Sequence, residues 1–400
     1  SASTFVVKIA TFAKPENVTC NFMKRQTFII LTILFSLTAC SQKDKQTIST
    51  PQTLDDGWKI SEPDNAGFDK QKLEKLIRGI SSENPKLNSL VIARHGKLIA
   101  DEYFNGYTPD SLQKIWSVTK SITGTIIGIA VDKGLLSEKD SIYKYLTDYI
   151  PNANSSEGAI TIEHLMTMTS GFEWVELGGP KSAGFQLAYS TDWIAFTLNQ
   201  PHTNVPGTIF NYSTGNAMLL APIVKKATGQ QANEFAKDNL FLPLGITNYE
   251  WDTQSEFWTK TQSGELPGAK QPTDIDYKKP FSDFTNTGSG LRMRSRDLCK
   301  IGQLYLNRGK WNENQIVSEK WINKSTQSHF GNSDYGYLWR LMNFQNNSCY
   351  YATGFGLQRI FVIPTLDLVV VMTQQHYETM PQGEKWINQF LTELLETIKE

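Results

Sequence analysis

The chain has 400 residues, 40% of them apolar, enough for one large core or a two-part architecture and too apolar for a disordered polymer. Thirty-nine basic residues against 40 acidic ones leave a formal charge of −1 with no basic stripe, which argues against a nucleic-acid partner. Four cysteines in this length exclude a disulfide scaffold, and no C-x-x-C spacing offers a zinc site.

At the amino end, Lys24 and Arg25 precede an apolar run from Phe28 to Ala39. That run is shorter than the about 20 residues of a bilayer-spanning helix and fits the apolar region of a secretory signal. It closes on Leu37-Thr38-Ala39-Cys40, which resembles the lipobox of bacterial lipoproteins and makes Cys40 the expected lipidation site. On this reading residues 1–22 are an unassigned leader, 23–39 a signal peptide and 40–55 a flexible polar tether. Residues 56–400 are then the working domain, held at the extracytoplasmic face of a bacterial membrane by lipid alone. A buried amino-terminal strand or helix is the plainer alternative. Cys299 and Cys349 remain in the working domain, paired or free.

Within that domain, 89–94 and 98–104 predict a β-hairpin turning at Gly96. From about 117 to 245 helical periodicity prevails, broken by Gly- and Pro-rich loops; 256–290 is loop-rich, and 295–328 again predicts helix. Four short strands follow, at 335–342, 349–353, 357–363 and 366–372, before a closing amphipathic helix over 383–399. Strands at both ends around a helical insert predict an α+β fold. Its antiparallel sheet is built from both termini (56–112 and 285–400), with a mostly helical subdomain over 113–284.

No G-x-S-x-G, H-E-x-x-H, P-loop or G-x-G-x-x-G motif occurs, so neither a cofactor nor a metal is expected, and the five histidines sit in unrelated contexts. Ser-x-x-Lys occurs at Ser111, Ser117 and Ser141, and context separates them. Ser111 lies in a polar turn and Ser141 reads as an ordinary helix start. Ser117 opens a stretch, Ile122 to Val131, that is apolar or small on nearly every face and so belongs in the interior. Gly124 and Gly128 within it each cost about 1 kcal/mol of helix propensity, a sign that another element packs closely there. Lys120 shares a face with Ser117 one turn on. A serine hydroxyl needs a nearby base, and burial disfavours the charged form of a lysine, which makes Lys120 the candidate base. Taken alone, the helix is equally read as a serine N-cap followed by a snorkelling lysine. Tyr212, in a loop just before a second apolar helix, is a phenol able to point into a cleft.

Ser117-Val118-Thr119-Lys120, Tyr212-Ser213-Thr214 and Ala352-Thr353-Gly354 come in an order and spacing that resembles the penicillin-recognising serine hydrolases. These β-lactamase/transpeptidase-like proteins include class C β-lactamases, D,D-peptidases, esterases and 6-aminohexanoate-dimer (nylon-oligomer) hydrolases. The stretches 161–171 and 290–298 add to the likeness. The resemblance implies a small ester or amide substrate and an acyl-enzyme on Ser117. It implies Lys120 and Tyr212 as a coupled base pair, and an oxyanion hole from the backbone N–H groups of Ser117 and Phe355. Thr214, Ala352, Thr353 and Gly354 of the motifs, with the neighbouring aromatics Trp116 and Trp174, are the candidate substrate contacts. Two departures stand out. Thr214 replaces a usual asparagine, and Ala352 replaces a lysine or histidine, leaving no cation there for a substrate carboxylate. Tyr-Ser-Thr-Gly and Ala-Thr-Gly-Phe-Gly-Leu-Gln are nearer the nylon-oligomer branch, which usually carries glycine where Leu357 stands. A class C-like β-lactamase or D,D-carboxypeptidase is the second expectation, and a non-catalytic ligand-sensing lipoprotein the third.

Overall fold

The central strands from the two termini are nearly continuous apolar runs, and because successive side chains point to opposite faces they place apolar groups on both faces of one sheet. The computed structural model describes residues 50–150, 152, 156–262, 282–331 and 334–399. The leader, the signal peptide, Cys40 and most of the tether lie outside the described residues. The amino-terminal segment supplies β1 (Lys59–Ile60), α1 (Lys70–Glu83), β2 (Leu87–Arg94) and β3 (Lys97–Tyr103). Next come β4 (Gln113–Lys114), α2 (Val118–Asp132), α3 (Ile162–Met166), α4 (Ala183–Tyr189), α5 (Trp193–Leu198), α6 (Thr214–Thr228) and α7 (Ala232–Ala236). The middle closes with β5 (Tyr249–Trp251), α8 (Gln254–Gln262), β6 (Leu291–Met293), α9 (Ser295–Leu306), β7 (Lys310–Trp311), β8 (Asn314–Gln315) and α10 (Glu319–Ser325). The carboxyl end adds β9 (Arg340–Phe344), β10 (Asn347–Gly354), β11 (Gln358–Ile363), β12 (Leu368–Gln374) and α11 (Met380–Leu395). Among the described residues no helix is long and apolar enough to cross a membrane.

The large sheet runs β1-β3-β2-β12-β11-β10-β9, antiparallel except for the parallel pair β1–β3. Its two halves meet at β2–β12, where Ile92 lies opposite Val370 and Val91 opposite Val371. Leu90, Ile92, Phe361, Ile363 and Val370 turn to one side and pack with Leu73, Ile77 and Ile80 of α1 and Ile387, Phe390 and Leu391 of α11. Val91, Ala93, Ile360, Val362, Val369 and Val371 turn to the other and join α9 and α2. Each such side chain contributes about 1.5–3 kcal/mol on burial, so a one-residue slip would turn every one of them to the wrong core. The hairpin turn at His95-Gly96 has both residues left-handed, φ 52° and 68°, which fits the twist of the flanking strands. A smaller antiparallel sheet runs β4-β6-β5.

Three expectations are corrected. The strand expected from Tyr335 begins only at Arg340. Leu338 is left-handed (φ 61°), donates its N–H to the Met166 carbonyl at 3.0 Å and accepts from the Ser121 hydroxyl at 2.6 Å, so 335–339 is apolar because it is buried beneath α2. The helix expected over 295–328 is two helices, α9 and α10, separated by the β7–β8 ribbon, whose turn residues Asn312 and Glu313 are both left-handed. The closing helix starts earlier, at Met380, with a proline in its first turn, and ends at Leu395.

Gly124 and Gly128 of α2 have the close neighbours that their cost predicts. A Cβ on Gly124 would stand 3.1 Å from the Tyr337 carbonyl oxygen, and one on Gly128 would stand 2.3 Å from the Trp321 indole. Cys299 and Cys349 are both free and buried.

Candidate active site

Ser117 enters α2 from a strained approach. Trp116 immediately before it is left-handed, φ 49°, a conformation costing a bulky residue about 1–3 kcal/mol. Ser117 occupies the N-cap position of α2, yet its side chain makes no capping hydrogen bond. The plain N-cap reading therefore fails. Instead its Oγ accepts from Lys120 Nζ at 2.9 Å. Lys120 is 1% exposed, whereas Ser117 is only half-buried, so the hydroxyl stays reachable while the amine does not. The amine also donates to Thr214 Oγ1 at 3.0 Å and to the Gly288 carbonyl at 2.9 Å.

The second motif reaches the site from the start of α6. Ser213 is its N-cap, its hydroxyl accepting from the Asn216 N–H at 3.2 Å. That cap places Tyr212 and Thr214 on either side of the helix entrance. Lys120 Nζ stands 5.2 Å from the centre of the Tyr212 ring, and the Arg340 guanidinium stands 5.3 Å from it. Among the described residues, no hydrogen bond joins the Tyr212 hydroxyl to Ser117 or Lys120. Thr214 takes the hydrogen-bonding place beside the amine and donates its own O–H to the Glu176 carboxylate. The Glu176 carboxylate also accepts from the Thr214 N–H at 2.9 Å and from Trp174 Nε1 at 2.7 Å.

The third motif lies at the end of β10. A Cβ on Gly354 would stand 2.2 Å from the Ile115 carbonyl oxygen, so only glycine lets β10 come this close to the approach to Ser117. Phe355 follows, its ring edge-on to Trp116 at 5.5 Å, and Tyr377 packs on both. Among the described residues the N–H groups of Ser117 and Phe355 make no backbone hydrogen bond. Thr353 is half-buried and its hydroxyl accepts from Arg359, a buried guanidinium paired with Glu384. Ala352 is 1% exposed and packs in the larger core, against which Tyr212 also lies. Leu357 is left-handed at φ 72°, a backbone shape that glycine adopts without strain.

The structure thus gathers Ser117, Lys120 and Thr214 directly and sets Tyr212 beside them. Trp116 and Trp174 belong to one apolar cluster with Trp193, Met218 and Phe257. Ser111 accepts from the Thr108 N–H within a turn, and Ser141 caps a short helix, so neither meets its lysine as Ser117 does. Sequence reasoning missed Gly288, Arg340, Arg359 and above all Glu176. The loop 285–290 carried no pattern, and Glu176 reaches the site through hydrogen bonds to a neighbour 38 positions away.

A family model described as beta-lactamase matches residues 78–393. A 6-aminohexanoate-dimer hydrolase of Paenarthrobacter ureafaciens is 22% identical over 311 residues, 74% of this chain and 68% of that protein. Esterase EstB of Burkholderia gladioli is 30% identical over 201 residues, 46% of this chain and 49% of its own. The octameric penicillin-binding protein homologue from Pyrococcus abyssi shares the fold with TM-score 0.61 and 22% identity, covering 83% of this chain and 78% of that one.

Proposed function

The chain belongs to the beta-lactamase family, and from that premise we propose that it is a serine hydrolase cleaving a small ester or amide through an acyl-enzyme on Ser117. The observation that carries the reading is the 2.9 Å hydrogen bond from the buried Lys120 amine to a half-buried hydroxyl that caps nothing. Ser117 Oγ bonds to the substrate carbonyl carbon while its proton passes to Lys120 Nζ. The oxyanion takes hydrogen bonds from the N–H groups of Ser117 and Phe355, each worth about 3–4 kcal/mol in barrier height. Collapse breaks the bond to the leaving group, which departs with a proton relayed from the Lys120 ammonium by Tyr212. Water then attacks the acyl ester and gives its proton to the same amine. Release of the acid returns that proton to Ser117. Lys120 rather than Tyr212 is the first base because the amine, and not the phenol, is hydrogen-bonded to the nucleophile. Trp116, Trp174, Thr353 and Gly354 border the acyl site.

The test is labelling with a fluorophosphonate followed by peptide mass spectrometry. The adduct is expected on Ser117, absent in Ser117→Ala and strongly reduced in Lys120→Ala; label on another serine overturns the assignment. Labelling also separates this reading from a ligand-sensing role without catalysis.

D,D-carboxypeptidase or class C-like β-lactamase activity is the second reading. Arg340 beside Tyr212 favours it, as a cation able to meet a substrate carboxylate where Ala352 has none. Nitrocefin turnover by the purified protein decides between the two. On the strength of residues 24–40, we also propose that the enzyme works outside the cytoplasm, tethered by lipid on Cys40. Labelling with a palmitate analogue is expected to vanish in Cys40→Ala, and its persistence refutes the anchor.

A further inference from the structure

We infer that Glu176 is a positioning residue: acting through the Thr214 hydroxyl, it fixes the direction in which Lys120 presents its lone pair to Ser117. The inference rests on Ser117 and Lys120 being the nucleophile and base proposed above. It follows from counting donors and acceptors around one nitrogen. Lys120 Nζ has three neighbours at hydrogen-bonding distance, Ser117 Oγ, Thr214 Oγ1 and the Gly288 carbonyl. A carbonyl oxygen only accepts, so one N–H is committed to Gly288.

Thr214 could face the amine either way, because a hydroxyl both donates and accepts. Glu176 removes that freedom. A carboxylate has no proton to give, so the Thr214 hydroxyl donates to Glu176 and must accept from Lys120. A second N–H is thereby committed. As an ammonium, Lys120 directs its third N–H at Ser117 Oγ; once neutral it keeps two N–H groups and one lone pair, and with both N–H groups committed only the Ser117 direction remains for the lone pair. The carboxylate itself cannot rotate out of this arrangement. One oxygen takes the Thr214 hydroxyl, while the other takes the Thr214 N–H and Trp174 Nε1. The Thr214 N–H is at the amino end of the fifteen-residue α6, where a negative charge is favoured. The Tyr212 ring lies 5.2 Å from Nζ with the Arg340 guanidinium 5.3 Å from the same ring, and among the described residues neither is hydrogen-bonded to the amine.

Glutamine at 176 is the sharp probe, being the same size with one acceptor replaced by an NH₂ donor. If the NH₂ faces Thr214 Oγ1, the hydroxyl reverses and donates to Lys120, drawing the lone pair away from Ser117. Turned the other way, the NH₂ confronts the Thr214 N–H and Trp174 Nε1, both donors. The experiment measures fluorophosphonate inactivation of the full chain, separating the limiting rate kinact from the half-saturating concentration KI. In Glu176→Gln and Thr214→Val, kinact is expected to fall about 10- to 100-fold with KI unchanged, the size of effect that misdirecting a reacting group produces. Thr214→Ser, which restores the hydroxyl that Thr214→Val removes, is expected to recover most of the kinact lost in Thr214→Val. The double variant Glu176→Gln/Thr214→Val is expected to be no slower than the slower single variant, because both changes break one relay. A wild-type kinact in folded Glu176→Gln, a change confined to KI, or additive losses in the double variant overturns the inference. Wild-type protein that fails to label at Ser117 at all refutes instead the hydrolase reading beneath it.

Discussion

The indole of Trp321 fills the space that a side chain on Gly128 would need, with a hypothetical Cβ 2.3 Å from its ring. Helix α2, which carries Ser117 and Lys120, is therefore docked onto α10 by the absence of a methyl group. Gly128→Ala adds about 1 kcal/mol of helix propensity but overpacks a buried contact, which typically costs about 1–3 kcal/mol. At a separation this short the clash dominates. Urea denaturation is expected to show a net loss of about 1–2 kcal/mol with an unchanged slope, and a stabilised variant contradicts the packing.

Tyr212 is assigned to the departure of the leaving group, so its removal should depend on what leaves. Tyr212→Phe is expected to lower kcat for an amide about 10²- to 10⁴-fold, the usual worth of a general acid. A 4-nitrophenyl ester, whose leaving group needs no proton, should lose far less. Equal losses on both substrates would assign the phenol to attack on the carbonyl instead.

Acid should weaken one defined contact. Burial pushes the Glu163 carboxyl up, but hydrogen bonds from Lys139 and Tyr337 outweigh it and hold the group below its ordinary 4.5. A carboxyl lowered in this way contributes stability above the unfolded-state value and loses it as pH falls through the folded-state value. Urea midpoints for the wild type and Glu163→Gln are expected to differ by a constant amount from pH 7 to about 5. They should converge as pH falls below 4.5 and through the lowered folded-state value. A gap that persists undiminished in acid overturns this assignment.

Leu357 sets two effects against each other. Its left-handed backbone costs about 1–2 kcal/mol relative to glycine, yet its side chain is fully buried in the core beneath α1 and α11. Deleting such a side chain costs about 2–5 kcal/mol. Leu357→Gly should therefore destabilise the protein by about 1–3 kcal/mol in thermal or urea unfolding, despite relieving the backbone.

The sheet and the Ser117–Lys120 pair are legible because each writes a short-range pattern. Short apolar, β-branched runs at 89–94 and 357–363 mark strands, and a serine opening an all-apolar helix marks Ser117. Residues 335–339 misled because burial makes a left-handed turn at Leu338 as apolar as a strand, and composition carries no sign of φ. The β7–β8 ribbon hid inside a helical periodicity, although Gly309 and Asn312 are turn residues in it. The motif position of Ala352 carries no sign of burial, and its methyl lies in the core. Glu176 left no trace at all, since a loop carboxylate gains its place only when α6 brings Thr214 to it.

The register of β2 with β12 joins Leu87 to Gln374, nearly three hundred positions apart. Such a pairing gives the fold a high contact order, and loop closure over that span slows the search for the native state. During synthesis, helix α2 is complete long before the strand that seals the sheet leaves the ribosome. Ser117 and Lys120 can meet early, but Gly354 and Phe355 arrive only with the last fifth of the polypeptide. On the proposed mechanism, a nascent chain lacks half of its oxyanion hole until translation is almost finished.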